Sequence, residues 1–184
     1  MTEKQGMNHE RTQEYLRKFD REKSLKYLIK TKKPVIFDIG ANTGTTVVDF
    51  KKWWPEASIH AFEPLPECWN DLERATSKYS DSIIINKFAL GNEDQKKAVM
   101  FTHNPSDMKD SRGISGFLKI NTASEDSILL KEKTKIDTET VKQYYESLNH
   151  KKEVQMVTGE TYINECKNDL KKIDLVKIDV QGFE

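Results

Sequence analysis

Apolar residues along this chain fall into two alternating rhythms, one of helical period and one of short continuous runs. Over residues 10–30, Tyr15, Leu16, Phe19, Leu25, Leu28 and Ile29 recur at spacings near i, i+3, i+4. That spacing predicts one or two amphipathic helical segments, ended by the Lys32-Lys33 pair and Pro34. Val35-Ile36-Phe37-Asp38-Ile39 follows, short and rich in β-branched residues, as expected of a strand buried on both faces. Gly40 and Gly44 punctuate the next turn. A helix starting near Thr45 places Val47, Phe50 and Trp54 on one face, and Pro55 stops it, because the residue before a proline is pushed out of helical angles. The cycle then repeats. Ser58–Phe62 reads as a second strand, a helix opened by Pro66 carries Trp69, Leu72, Thr76 and Tyr79, and Ile83-Ile84-Ile85 opens a third strand running on toward Ala89-Leu90.

Strands alternating with helices at this pitch predict an α/β fold, doubly wound around a mostly parallel sheet. Residues 1–34 form an N-terminal helical segment and residues 35–184 one domain. Ala98–Phe101 is expected to be one arm of a hairpin. Residues 104–153 break the rhythm: they are polar, and we expect an insertion over the sheet edge, with a capped helix where Val141, Tyr144, Tyr145 and Leu148 follow Asp137-Thr138. A strand at Val154–Val157 and a helix near Glu160–Cys166 lead to Ile173–Val180, whose apolar run predicts another core strand.

Composition narrows what such a domain can do. Lys plus Arg and Asp plus Glu number 30 each, so the zero formal charge gives no general attraction to nucleic acid or an anionic membrane. No apolar run approaches the ~20 residues of a membrane helix, and Met1–Glu10 lacks the apolar core of a signal peptide. Cys68 and Cys166 are far apart and outside any CxxC spacing, which favours two free thiols in a reducing, cytoplasmic setting over a disulfide. The four histidines are scattered, so no metal site is drawn.

The chemistry concentrates in Asp38-Ile39-Gly40-Ala41-Asn42-Thr43-Gly44, between a strand and a helix. Glycines there let the backbone turn tightly and approach a ligand at the helix start. Glu63 follows at the end of the next strand, placed to accept hydrogen bonds from a ribose diol, and at a strand end its replacement is expected to spare the fold. The order Gly40-x-Asn42-x-Gly44, with Thr45-Thr46 at the place of a packing glycine, departs from the dinucleotide pattern G-x-G-x-x-G. Asp38 beside the loop would repel a pyrophosphate but suit a ligand carrying an ammonium and a sulfonium, as S-adenosylmethionine does. No phosphate-cradling P-loop motif is present. Trp53-Trp54 reads as helix-to-sheet packing. Two further readings stay open: a nucleotide-binding oxidoreductase, and a non-catalytic nucleotide-binding module that keeps the Rossmann-like fold.

Four blocks, Asp38–Gly44, Phe62-Glu63-Pro64, Ala89-Leu90-Gly91 and Lys177-Ile178-Asp179-Val180-Gln181-Gly182-Phe183-Glu184, resemble in order and spacing the FkbM-type methyltransferases. The resemblance implies a Rossmann-like methyltransferase fold using S-adenosyl-L-methionine, and methyl transfer to an oxygen of a sugar or other small hydroxyl-bearing acceptor. By position it implies that Asp38, Gly40, Asn42 and Gly44 hold the methionine end, Glu63 the ribose, and Ala89 and Leu90 the adenine edge. Ser115 resembles the serine that precedes the later strands in this family. Asp179, at the end of a strand facing the transferable methyl, becomes the candidate catalytic base, against a structural reading as a helix-capping acid. The same resemblance makes Val35–Ile39 the central strand with Ile173–Val180 beside it. It leads us to expect further C-terminal strands beyond Glu184, without which Ile173–Val180 would stand at an open, aggregation-prone edge.

Overall fold

A computed structural model describes residues 13–15, 18–102, 115–119, 149–166 and 170–181. The helix expected over 137–148, the Tyr144-Tyr145 pair and Glu184 lie outside the described residues. The elements run α1 (Arg21–Leu28), β1 (Val35–Ile39), α2 (Thr45–Trp53), β2 (Ser58–Phe62), α3 (Pro66–Thr76) with a 3₁₀ extension (Ser77–Ser82), β3 (Ile83–Asn86), β4 (Ala89–Gly91), β5 (Gln95–Thr102), β6 (His150–Thr158), α4 (Gly159–Glu165) and β7 (Leu175–Ile178).

Four strands form a parallel sheet in the order β3-β2-β1-β7, so β1 is flanked by β2 and β7, as the family resemblance implies. Successive side chains point to opposite faces of a strand, and here both faces are covered. Ile36 of β1 with Ile59 and Ala61 of β2 packs against Val47, Phe50 and Leu72 from α2 and α3. Phe37 and Phe62 point the other way, against Val157 and Tyr162 at β6 and α4. Layers on both sides explain why β1 reads as an unbroken apolar run, and they make this an α/β, mostly parallel fold. Trp54 is buried, and Trp53 packs beside it and Phe50, as helix-to-sheet packing requires. Both cysteines are free thiols.

A second, three-stranded sheet has the order β4-β6-β5, with β4 parallel and β5 antiparallel to β6. It bears on three expectations. First, the third strand does not run from Ile83 to Leu90. Its neighbour β2 ends at Phe62, and Pro64 has no N–H to extend the ladder, so the chain leaves the first sheet after Asn86 and restarts as β4 in the second. Second, among the described residues the partner strand of Ala98–Phe101 is β6, beyond residues 103–149, with one further bridge from Phe101 to Gly116. Third, the polar insertion ends earlier than 153. Residues 150–153 already belong to β6, where Glu153 pairs with Lys97 at 2.8 Å and Lys152 with Glu67.

The N-terminal apolar set is only partly used. Leu25 and Ile29 pack on the core, whereas Tyr15, Phe19 and Leu28 are exposed. β7 is shorter than its apolar run suggests, and its Val176 and Ile178 side chains are about half exposed, at 46% and 49%.

Candidate functional site

In open α/β sheets, ligands gather at the carboxyl ends of strands where the winding direction reverses. Here the chain winds from β1 outward through β2 and β3, then returns to the other side of β1 as β7. A cleft opens at that point. It is lined by Gly40 and Asn42 after β1, Glu63 and Leu65 after β2, Ala89 and Leu90 of β4, Met100 of β5, Ser115 and Phe117, and Asp179, Val180 and Gln181 after β7.

The loop after β1 is fixed by its own backbone. The N–H groups of Gly40 and Ala41 both donate to the Phe62 carbonyl at 3.0 Å, which ties the end of β1 to the end of β2. Gly40 has φ +80°, and a Cβ there would lie 2.1 Å from the Asp179 carbonyl oxygen, so only glycine admits this approach of β1 to β7. Asn42 also takes positive φ, which asparagine tolerates better than most residues. Gly44 stands back from the cleft. It is the N-cap of α2, and a Cβ on it would meet Leu72 of α3 at 2.8 Å. Gly44 is thus the packing glycine whose place the sequence pattern assigned to Thr45-Thr46.

Glu63 is 5% exposed. Its Oε2 accepts the Asn42 N–H at 2.7 Å and its Oε1 the Leu65 N–H at 2.9 Å, while its own carbonyl accepts from Trp69 Nε1 at 2.8 Å. Burial raises its pKa above the ordinary carboxylate range, and the two amides oppose the rise. This carboxylate braces the cleft loop against the turn after β2, so replacing it should cost stability as well as any ligand contact.

Asp38 does not line the cleft. It lies beneath it at 0% exposure, and neither carboxylate oxygen accepts a hydrogen bond from the described residues. Burial raises its pKa, opposed first by Lys177, whose ammonium stands 3.0 Å from Oδ1. That ammonium is aimed elsewhere, donating to the Gly40 carbonyl at 2.9 Å. Asp179 does reach the cleft. Its N–H donates to the Ile39 carbonyl, its Oδ1 accepts from Gln181 Nε2 at 3.1 Å, and its side chain is 58% exposed. Ser115 is buried at the cleft wall, held by the paired N–H and C=O of Gly116 and Phe101.

The cleft thus gathers Gly40, Asn42, Glu63, Ala89, Leu90, Ser115 and Asp179, and leaves Asp38 one layer below and Gly44 behind. Sequence reasoning missed Leu65, Met100, Phe117 and Gln181. The alternation of β5 buries Ala98, Met100 and Thr102 together, but which sheet they face depends on the long-range pairing with β6. Among the described residues no cluster of His, Cys, Asp and Glu could hold a metal ion, and no helix is long and apolar enough to cross a membrane.

The chain is 26% identical to "Methyltransferase sdnD" of Sordaria araneosa, in a match covering 82% of this chain and 58% of that protein, so it spans little more than half the relative's length. Among solved structures, the fibrillarin/Nop5p complex covers 32% of this chain and 27% of its own at 24% identity and a TM-score of 0.29. The precorrin-6y C5,15-methyltransferase of Geobacter metallireducens GS-15 covers 35% of each chain at 17% identity, also with a TM-score of 0.29. The family model for the methyltransferase FkbM domain matches residues 38–184, from the end of β1 through β7, and the chain belongs to that family.

Proposed function

We propose that this chain is an S-adenosylmethionine-dependent methyltransferase acting on a hydroxyl of a sugar or other small acceptor. One observation carries the reading: a buried glutamate, clamped by two backbone amides, faces the same cleft as the glycine loop after β1. The residues present suit such a cofactor. Each Glu63 oxygen binds one amide and keeps a second lone pair for a ribose hydroxyl. The Gly40–Asn42 turn brings bare backbone to the cleft, and Asp38, paired with the Lys177 ammonium, is a buried carboxylate one layer below where a cationic methionine end would lie. Ala89 and Leu90, with apolar Leu65, Met100 and Phe117, offer a wall suited to an adenine ring.

S-adenosylmethionine supplies a methyl carbon already made electrophilic by its positive sulfur. The protein's share of the work is to hold an acceptor oxygen close and aligned. Asp179, exposed at the end of β7 and steered by Gln181, accepts the hydroxyl proton through a carboxylate oxygen. The balanced charge supports a small-molecule or glycan acceptor over nucleic acid, and the two free thiols support a cytoplasmic setting.

Calorimetric titration with S-adenosylmethionine, S-adenosylhomocysteine and NAD tests this directly. The expected result is micromolar binding of the first two and none of NAD. Binding of NAD alone would overturn the reading.

A further inference from the structure

Lys177 received no role from the sequence beyond its place in a motif, yet its ammonium touches three parts of the site. It donates to the Gly40 carbonyl at 2.9 Å, stands 3.0 Å from Asp38 Oδ1, and lies 3.7 Å from Asp179 Oδ2. The side chain is only 17% exposed. Asp38 is fully buried with no donor other than Lys177 near its oxygens among the described residues, and an isolated buried carboxylate is costly unless a cation offsets it. Gly40 sits at positive φ in close approach to the Asp179 carbonyl, and Asp179 itself is largely exposed.

We propose that Lys177 is the positioning residue of this site: its ammonium, bound to the Gly40 carbonyl and placed between the Asp38 and Asp179 carboxylates, locks the cofactor loop to the end of β7. The two halves of the cleft, one holding the cofactor and the other the acceptor-side acid, are then set as a single unit. Lysine suits this task because a compact ammonium on a flexible stem can serve three oxygens that lie in no common plane, whereas a guanidinium demands a planar fork. The register of β1 with β7 supplies the alignment, since Lys177 pairs with Asp38 across the two strands. The assignment of the cleft to S-adenosylmethionine rests on the proposed function; the lock between Gly40 and β7 does not.

Two measurements separate them. Amide hydrogen exchange without ligand reads the lock alone. In Lys177→Gln and Lys177→Met, exchange at Gly40, Ala41 and Asn42 should speed up by about tenfold or more, the scale of one lost hydrogen bond to a charged group, while β2 and β3 keep their protection. Affinity for S-adenosylhomocysteine reads the consequence. Lys177→Met should weaken it about tenfold, Lys177→Arg should recover part of the loss, and adding Asp38→Asn to Lys177→Met should cost little more than the single change, because the two act through one pair. Unchanged exchange at residues 40–42 would overturn the proposal, as would full additivity of the two substitutions. Failure of both neutral variants to fold would also overturn it, making Lys177 a structural residue of the sheet. A wild-type protein that ignores S-adenosylhomocysteine but shows the loop-specific exchange would sink the cofactor assignment and leave the lock standing.

Discussion

Glu63 commits one lone pair of each carboxylate oxygen to a backbone amide, Oε2 to Asn42 and Oε1 to Leu65, and retains a second on each for a ligand. Removing the side chain therefore has two separable effects. Glu63→Ala should weaken binding of S-adenosylhomocysteine by on the order of ten- to a hundredfold, the loss of charge-assisted hydrogen bonds to a ribose. It should also lower stability by roughly 1–3 kcal/mol for each amide left without a partner, seen as a lower denaturation midpoint in the absence of ligand. Glu63→Gln keeps one carbonyl acceptor but turns an NH₂ toward the other amide, so its stability should fall between the two. The pH dependence has a fixed sign. Burial raises the Glu63 pKa, so protonation begins at a higher pH than for an ordinary carboxylate. Affinity should weaken as pH falls from neutrality through that raised value, and Glu63→Gln should flatten the profile. The acid at this place was legible in the sequence because it follows a strand beside a glycine loop. Its bracing role was not, because both amides it binds are set by the three-dimensional turn.

The helical face of α2 was legible from spacing alone: Val47, Phe50 and Trp54 are all buried, and Pro55 marks the end. The same element holds Lys51, 2% exposed, which no pattern of apolar residues would place inside. Its ammonium crosses the end of α2 to the carbonyls of Pro55 and Ala57, at 2.7 and 2.8 Å, and to Ser82 Oγ at 2.9 Å. One lysine thereby joins α2, the turn into β2 and the 3₁₀ segment before β3, and all three of its donors are matched. Lys51→Met should cost about 1.5–3 kcal/mol, the range for hydrogen bonds to a charged group. Urea denaturation would show the loss as a lower midpoint. Cofactor affinity should not change, because Lys51 does not line the cleft. The strand elements were read less well. The break between β3 and β4, and the start of β6 at His150, depend on which neighbour each segment finds rather than on its own residues.

Across the whole molecule, the layer behind the parallel sheet is closed by a polar contact inside an aromatic cluster. His60 of β2 meets the Tyr162 hydroxyl of α4 at 2.6 Å, surrounded by Phe37, Phe62 and Phe88. Burial pushes the Tyr162 pKa up to about 12 and lowers that of His60 below the ordinary 6.5, so both are neutral at physiological pH. For a histidine with a depressed folded-state pKa, the unfolded chain takes up a proton that the folded one refuses. The stability associated with neutral His60 is thus present above 6.5 and lost as pH falls through the folded value. Asp38 and Glu63 act in the opposite direction, since raised carboxyl pKa values favour the folded state as pH falls. The contrast with a variant isolates the histidine. The stability advantage of the wild type over His60→Gln should shrink as pH is lowered from about 7.5 to about 5, measured by denaturant titration at each pH. A constant difference would place the protonation elsewhere.

The sequence by itself determined the α/β class, the cleft loop, the acid after β2 and the family, because each is written in local signals: the period of apolar residues, glycines where the backbone must turn, and motif residues close together in the chain. Tertiary structure alone decided what lies across from what. Asp38 looked like a cleft residue and became a buried acid neutralised by Lys177, 139 residues later. Gly44 belonged to the ligand loop by spacing and became a contact between α2 and α3. Residues 150–153 looked like loop, yet pairing with β5 made them a strand. A polar residue carries the same letter whether it faces water, a ligand or a buried countercharge. The difference is made by which distant strands pair, and a local pattern of residues does not name the partner.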